Sequence, residues 1–529
     1  MAASLPMSPG RICPARRAVL LPGLLVLGFA ASSWAVAAWA GGWGIPHNDD
    51  WALLRIARHL ADTGRFELVG WNRAALAGQT FPAAGVLAVF GGGVVMLQAL
   101  DLVAASAVLA LAYLLLRRFL GPGRAALGAA TLLGTPELWL LSTSFMTDAL
   151  AAALVLGSLL LGVVALRAPD RRAAAAPFLG ALLLGLWGST VREAAIAAPV
   201  AVLLAVVLAR RRDLRALAGP STVVLALAVA AFEVARRSLP FGDEPHLTVD
   251  PGGTAAHVLE ALFWTGLVLS PVTLCWAARW RKPQTWLLIA VAAGLAAALR
   301  LGLQRQFFPA NYLSRRGAYV SAGLGTRAAL VPEWTWLLVC AIAVVSAGVL
   351  LSWLVAARWS GADPVLTTFL ALSMGGLLVE DALGQTTYSR YLLVLPPVLA
   401  VFLLRTPRPP APARVGSVAL LAALCALAVV LTVGTLRSDA ARWRAAELLV
   451  AQGVDPMEIA AGQEWSGWHT GAVAVHDRRD APGDEAWWTG MFSDASECWL
   501  VTMDDRERAG YRLVRAVDGV WVFQAVRGC

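Results

Sequence analysis

Residues 18–51 read AVLLPGLLVLGFAASSWAVAAWAGGWGIPHNDDW. The run over residues 18–40 carries no charge. At 1.5 Å rise, about 20 such residues cross roughly 30 Å of hydrocarbon. Just behind it come two adjacent carboxylates, Asp49 and Asp50. Charges at the edge of hydrocarbon are costly, and those facing a cavity tend to mark chemistry or transport. The pair also suits a plainer task, capping the short helix that follows, because Asp is a favoured N-cap. Both readings stand at this point.

Composition decides the class. Hydrophobic residues make up 58% of the 529 and charged residues only 15%, with a mean hydropathy of +0.67. Soluble domains carry roughly a quarter charged residues, so this is an all-α polytopic membrane protein. The net charge of +9 needs no nucleic acid to explain it, since positive residues retained in short cytoplasmic loops account for much of it. Arg11, Arg16 and Arg17 precede the first span. Later clusters are Arg117-Arg118, Arg167 with Arg171-Arg172, Arg210 to Arg215, Arg279 with Arg281-Lys282, Arg358, and Arg405 with Arg408 and Arg414. The apolar length between clusters fits two spans each time. That predicts about thirteen transmembrane helices in the cell membrane, N-terminus cytoplasmic and C-terminus extracytoplasmic. A cleaved leader ending at Ala38-Trp39-Ala40 is the competing reading. Its apolar stretch is too long for a usual leader, and further spans follow directly.

The segments left outside carry the polar groups. The first loop, residues 41–97, holds a helical pattern from Trp51 to Leu60 whose apolar face suits the membrane interface. Residues 83–97, with Gly91-Gly92-Gly93, read as a second interfacial or re-entrant piece. Four shorter segments follow: Ser142 to Asp148, Ser189 to Glu193, Gln304 to Glu333 with Arg315-Arg316, and Gly384 to Tyr391. Acids from the early segments and arginines from the later ones are expected to converge on one outward-facing cavity.

The Asp49-Asp50 pair, Asp148 at the outer end of about the fourth span, and Ser389-Arg390-Tyr391-Leu392-Leu393 resemble the GT-C membrane glycosyltransferases. The nearest likeness is to the protein O-mannosyltransferase and aminoarabinose transferase branch, over residues 45–200 and 385–400. That branch commonly shows Asp-Glu where this chain has Asp49-Asp50, so which carboxylate reaches the substrate stays open. The resemblance implies sugar transfer from a polyprenyl-phosphate carrier to a glycan, lipid or protein acceptor, among membrane lipids. An acceptor hydroxyl is a poor nucleophile until a carboxylate takes its proton. Asp49 is the candidate base, with Asp50 or Asp148 orienting the acceptor or raising the pKa by like-charge proximity. The leaving phosphate needs cations, and Arg192, Arg390, Arg315, Arg316 and Tyr391 are its candidate ligands. No cofactor is required; a divalent metal is not indicated, because His47 and His59 lack tight ligand spacing with the acids.

Plainer readings accompany each residue. Asp148 suits a helix N-cap with Thr147, Arg192 can pair with Glu193 or snorkel to headgroups, and Arg315-Arg316 suit a lipid surface. Tyr388 and Tyr391 suit an aromatic belt. A transporter or flippase for a lipid-linked or small polar substrate would share the spans and charges, but no internal repeat is evident. A catalytically idle relative that scaffolds lipid-linked sugar is a third class.

The tail, residues 437–529, is richer in charge and reads as a small extracytoplasmic α+β domain after a membrane domain of residues 1–436. A helix from Ala440 to Gln452 should end at Gly453, and 499–502 and 519–523 read as strands. Trp465, Trp468, Trp487 and Trp488 are candidates for a sugar platform or for core. Cys275, Cys340 and Cys425 lie in apolar segments and Cys13 is cytoplasmic, which leaves Cys498 and Cys529 on the oxidising side. A bridge between them would stabilise the tail by roughly 3–4 kcal/mol in the chain-entropy model. Maleimide counting on denatured, unreduced protein should leave both unlabelled; labelling of both before reductant removes the bridge.

Overall fold

The computed structural model describes residues 14–71, 76–239, 251–277, 307–309, 312–319, 322–356, 363–382, 387–405, 411–473 and 488–526. The chain is mostly helical. In order come α1 (Pro14–Ala40), α2 (Asp50–Thr63), α3 (Ala77–Phe90), α4 (Val94–Arg117), α5 (Pro122–Ala130), α6 (Pro136–Leu141), α7 (Thr147–Arg167) and α8 (Arg171–Val191). Then follow α9 (Ala197–Leu208), α10 (Arg212–Arg237), α11 (Pro251–Ala277), α12 (Glu333–Ala356), α13 (Pro364–Ala382), α14 (Leu395–Leu403), α15 (Ala411–Val450) and α16 (Gln463–His469).

Among the described residues, nine helices are long and apolar enough to cross a membrane: α1, α4, α7, α8, α10, α11, α12, α13 and α15. Other stretches expected to cross are built from shorter pieces. Pro122 to Leu141 is α5, a 3-10 turn at Thr131–Gly134 and α6, which restarts with Pro136 behind the Thr135 cap. Glu193 to Leu208 opens as a 3-10 turn, and α14 starts on Pro396-Pro397. The apolar stretch after Lys282 lies outside the described residues.

The core sits on α7, which is buried along nearly its whole length between α4, α8 and α9. The first loop departs from its expected place. The apolar face of α2 packs into protein rather than along lipid. Trp51 is fully buried against Phe492, with ring centroids 5.7 Å apart, and against Trp71 at 6.4 Å. An amphipathic stripe looks the same whether lipid or protein covers it. Instead α3 leaves Phe81, Val89 and Phe90 exposed, and Gly91-Gly92, both with positive φ, break the chain before α4.

The last span does not stop at the expected domain boundary. α15 is 40 residues long, about 60 Å at the usual rise, and carries straight into the tail. The helix expected over Ala440 to Gln452 is its final third, closed by Gly453 at φ +93°. Four strands follow: β1 (Ile459–Ala460), β2 (Trp499–Thr502), β3 (Tyr511–Val517) and β4 (Val520–Ala525). They pair in the order β1-β2-β4-β3, with β1 parallel to β2 and the other pairs antiparallel. Asp518 and Gly519, at φ +49° and +80°, make the two-residue turn that suits the β3–β4 hairpin. Trp465 and Trp488 are core residues, while Trp487 lies outside the described residues. Cys498 is disulfide-bonded; its expected partner Cys529 lies outside the described residues.

The tail docks on α2 through a close approach. A Cβ on Gly467 would stand 2.3 Å from the Trp51 ring, so only glycine fits. Gly467→Ala should cost about 1–3 kcal/mol as overpacking and lower the detergent melting temperature. An unchanged melting temperature would show that α2 and α16 do not pack this tightly.

Candidate active site

Three chain segments meet at one end of the bundle: the α1–α2 loop, the start of α7, and the one-turn 3-10 helix Ser389–Leu392 before α14. Asn48 adopts φ +51° and turns the chain so that Asp49 and Asp50 diverge. Asp50 is fully buried. Its Oδ1 accepts from the His47 backbone N–H at 2.6 Å and its Oδ2 from the Phe145 N–H at 3.1 Å. Burial pushes its pKa up to about 7, against the opposing pull of His47 and those two N–H groups. Asp50 is thus a latch from the first loop to the approach of α7, with both oxygens engaged away from the cavity.

Asp49 faces the other way. It accepts from Asn48 Nδ2 at 3.2 Å and Gln463 Nε2 at 3.4 Å, and its Oδ2 lies 3.9 Å from Arg390 Nη2. Its side chain keeps 23% exposure. Burial raises its pKa, with Arg390 and a hydrogen bond from Trp71 holding it back.

Asp148, in the first turn of α7, is 1% exposed and shared by two guanidiniums. Arg192 Nη1 approaches Oδ1 at 3.1 Å and Arg390 Nε approaches Oδ2 at 3.4 Å. The N-cap of α7 is Met146, and it makes no side-chain cap bond, so Asp148 is left to the arginines. Arg192 sits in extended backbone where α8 ends, donates to Thr147 Oγ1 at 3.0 Å, and stacks 3.8 Å over the Tyr391 ring. Arg390 is buried among three rings: it donates to the Tyr312 hydroxyl at 3.2 Å and lies 4.7 Å from Tyr388 and 5.4 Å from Tyr391.

These groups head a cavity of about 410 Å³. Asp148, Arg192, Glu193, Glu380, Arg390 and Tyr391 line its charged end. From there Ala151, Ala152 and Val155 continue down one face of α7, and Leu377, Ser373, Leu372 and Phe369 down one face of α13. Those spacings are helical, so the furrow runs along the spans. Small residues (Ala151, Ala152, Gly376) leave the room. It is a groove with a charged head, two arginines among three acids, and an apolar body.

Arg315 and Arg316 do not join this cluster. Arg315 pairs with Glu333 at 3.3 Å, and Arg316 is exposed. The buried arginine of that segment is Arg327, which donates to the carbonyls of Ala318 at 2.9 Å and Arg316 at 3.2 Å. It reaches a second network, missed in the sequence. His47 Nδ1 meets Asp439 Oδ2 at 3.2 Å, and Arg442 Nη2 meets Asp439 at 2.7 Å and Glu464 at 2.5 Å. Burial opposes charge on His47, but Asp439 outweighs it and raises the pKa. Gln463 and Tyr312 were also missed; only Tyr312 lay in a segment already singled out. Among the described residues no cluster of His, Cys, Asp and Glu is arranged to hold a metal.

No family model matches the chain, and no curated protein matches it in sequence. Solved structures similar to the chain include two of one protein. ArnT from Cupriavidus metallidurans in the apo state is 14% identical, with 94% of this chain and 97% of that chain covered and a TM-score of 0.43. The same protein bound to undecaprenyl phosphate is 13% identical over 95% and 98%, with a TM-score of 0.44. At this level of similarity, the function of the chain has to be read from its own residues.

Proposed function

We propose that the chain is a membrane glycosyltransferase of the GT-C kind, moving a sugar from a polyprenyl-phosphate carrier to an acceptor hydroxyl on the outer side. The groove carries this reading. The carrier phosphate would meet Arg192 and Arg390, which line the charged end beside Asp148, and its prenyl chain the apolar residues of α7 and α13. Two guanidiniums in a dry setting attract an anion strongly, because little water screens them.

In the reaction the acceptor oxygen attacks the anomeric carbon and the bond from that carbon to the carrier phosphate oxygen breaks. Asp49 takes the acceptor proton. It stands beside Arg390, 3.9 Å away, with 23% of its side chain exposed, and its raised pKa makes it a better base than an ordinary aspartate. The phosphate leaves as an anion, and Arg390 and Arg192 stabilise the charge as it grows. Asp148 sets the spacing of the two guanidiniums, Tyr391 supports Arg192 from below, and Asp50 secures the loop. Arg315 and Arg316 have no part in this scheme. Transport needs no base beside the cations, so the position of Asp49 favours transfer over a flippase.

Radiolabel transfer from a polyprenyl-phosphate sugar by purified protein tests the reading, and its absence with every acceptor class would remove it. Asp49→Asn should lower transfer about 10²- to 10⁴-fold while carrier binding persists. In the wild type the rate should rise with pH through the raised pKa of Asp49, above the ordinary value of about 3.9. Near wild-type turnover in the variant would remove Asp49 as the base; its side chain makes no cap bond to α2.

Arg390→Lys should weaken undecaprenyl phosphate binding by roughly tenfold, about 1.4 kcal/mol, because an ammonium cannot reproduce the planar fork. Unchanged affinity with altered stability alone would make Arg390 a structural ion-pair partner.

A further inference from the structure

Asp101 lies in the third turn of α4, 2% exposed, and does not line the cavity. Its Oδ2 accepts from the Met146 backbone N–H at 2.7 Å. Gln79 of α3, itself buried, donates Nε2 to the Met146 carbonyl at 3.3 Å and to Asp101 Oδ1 at 3.3 Å. Both backbone polar groups of Met146 are therefore taken by this side-chain pair, in the way a neighbouring strand would take them. One residue earlier, the Phe145 N–H is taken by Asp50. Met146 is extended, at φ −110° and ψ +149°, and precedes α7, so its N–H has no helical partner. Unsatisfied backbone at membrane depth costs several kcal/mol, and a carboxylate acceptor gives the stronger, shorter bond. Three elements, α2, α3 and α4, thus grip two residues, and the next two are Thr147, which Arg192 contacts, and Asp148, which both arginines share.

We infer that Asp101, with Gln79, is a positioning residue: it fixes the backbone at Met146 so that Asp148 holds Arg192 and Arg390 at the spacing of a phosphate. This rests on the carrier reading above for its consequence, though not for its geometry. Outer partners of this kind typically change affinity or activity by about 10- to 100-fold.

A double-mutant cycle over Asp101 and Asp148 tests it, since residues acting through one another are not additive. Asp101→Ala should weaken undecaprenyl phosphate binding in detergent by roughly tenfold or more. Asp101→Asn keeps an acceptor for the Met146 N–H and should restore affinity to within about threefold. Over Asp148→Asn, Asp101→Ala should change affinity no further. A ligand-free readout runs beside it: phenylglyoxal labelling of Arg192 and Arg390, followed by peptide mass. It should accelerate in Asp101→Ala and show no added effect over Asp148→Asn. Equal effects in both backgrounds, or wild-type binding and labelling by the folded fraction of Asp101→Ala, would overturn the assignment. If the wild type binds no undecaprenyl phosphate while the labelling cycle still shows coupling, only the carrier reading fails.

Discussion

The Asp148 carboxylate held between two guanidiniums is the constraint on which the site depends. A charge taken out of water loses several kcal/mol of hydration, and a buried pair recovers this only with good geometry and further partners. Here one carboxylate serves two arginines, from the end of α8 and the turn before α14, so three segments far apart in sequence must meet. The pairing is also incomplete by one unit of charge. The aromatic faces of Tyr312, Tyr388 and Tyr391 and the distant Asp49 supply the balance weakly. Glu193 and Glu380 line the same end of the cavity, so the two guanidiniums stand among acids. Under the proposed function the carrier phosphate competes with those acids for them, in a setting where hydrocarbon-facing helices provide the low dielectric.

A second buried cluster explains why the tail belongs to the membrane domain. Asp439 and Arg442 lie on the part of α15 that runs beyond the bundle. They collect His47 from the first loop, Arg327 from the segment before α12 and Glu464 from α16. Breaking one partner of such a cluster strands the others without solvent. The same α16 begins with Gln463, which touches Asp49, and contains Gly467, which receives Trp51. One short helix thus joins the tail to the first loop, at Asp49 and at Trp51. A boundary drawn at residue 436 separates two compositions but cuts through a single helix whose last turns hold both halves.

Much of this was legible in sequence because membrane chains expose their polar outliers. Asp148, Arg192 and Arg390 stand at the ends of long apolar runs, and hydrocarbon leaves few reasons for a charge there. The elements that escaped had no such background. Arg315, Arg316 and Arg327 lie in irregular chain, where no periodicity says which points inward, so the adjacent pair drew attention and the buried arginine did not. β1 is two residues long and β3 alternates too loosely to announce itself. Asp101 sits inside a span and was passed over, because its partner is the Met146 backbone N–H, which no side-chain pattern announces. The face of α2 was read as lipid-facing because its stripe records that something apolar covers it, not what.

Asp49 and Asp50 show where sequence reading ends and geometry takes over. Adjacent residues at a helix start point roughly 100° apart, so a pair of identical carboxylates cannot share one task. The helix of Asp50 turns its side chain inward, where only backbone N–H groups can satisfy it, and it becomes a staple between the first loop and α7. Asp49, as the N-cap, stays at the rim with amide partners from Asn48 and Gln463 and a guanidinium nearly 4 Å away. Nothing in its surroundings locks it as Asp50 is locked. A group meant to accept a proton from an incoming hydroxyl must keep a lone pair open and avoid a tight ion pair, which would lower its basicity. Of the aspartates Asp49, Asp50 and Asp148, Asp49 is the one proposed to meet both conditions, being partly exposed and 3.9 Å from Arg390. Under the proposed function the doubled motif divides labour, Asp50 holding the loop and Asp49 facing the substrate.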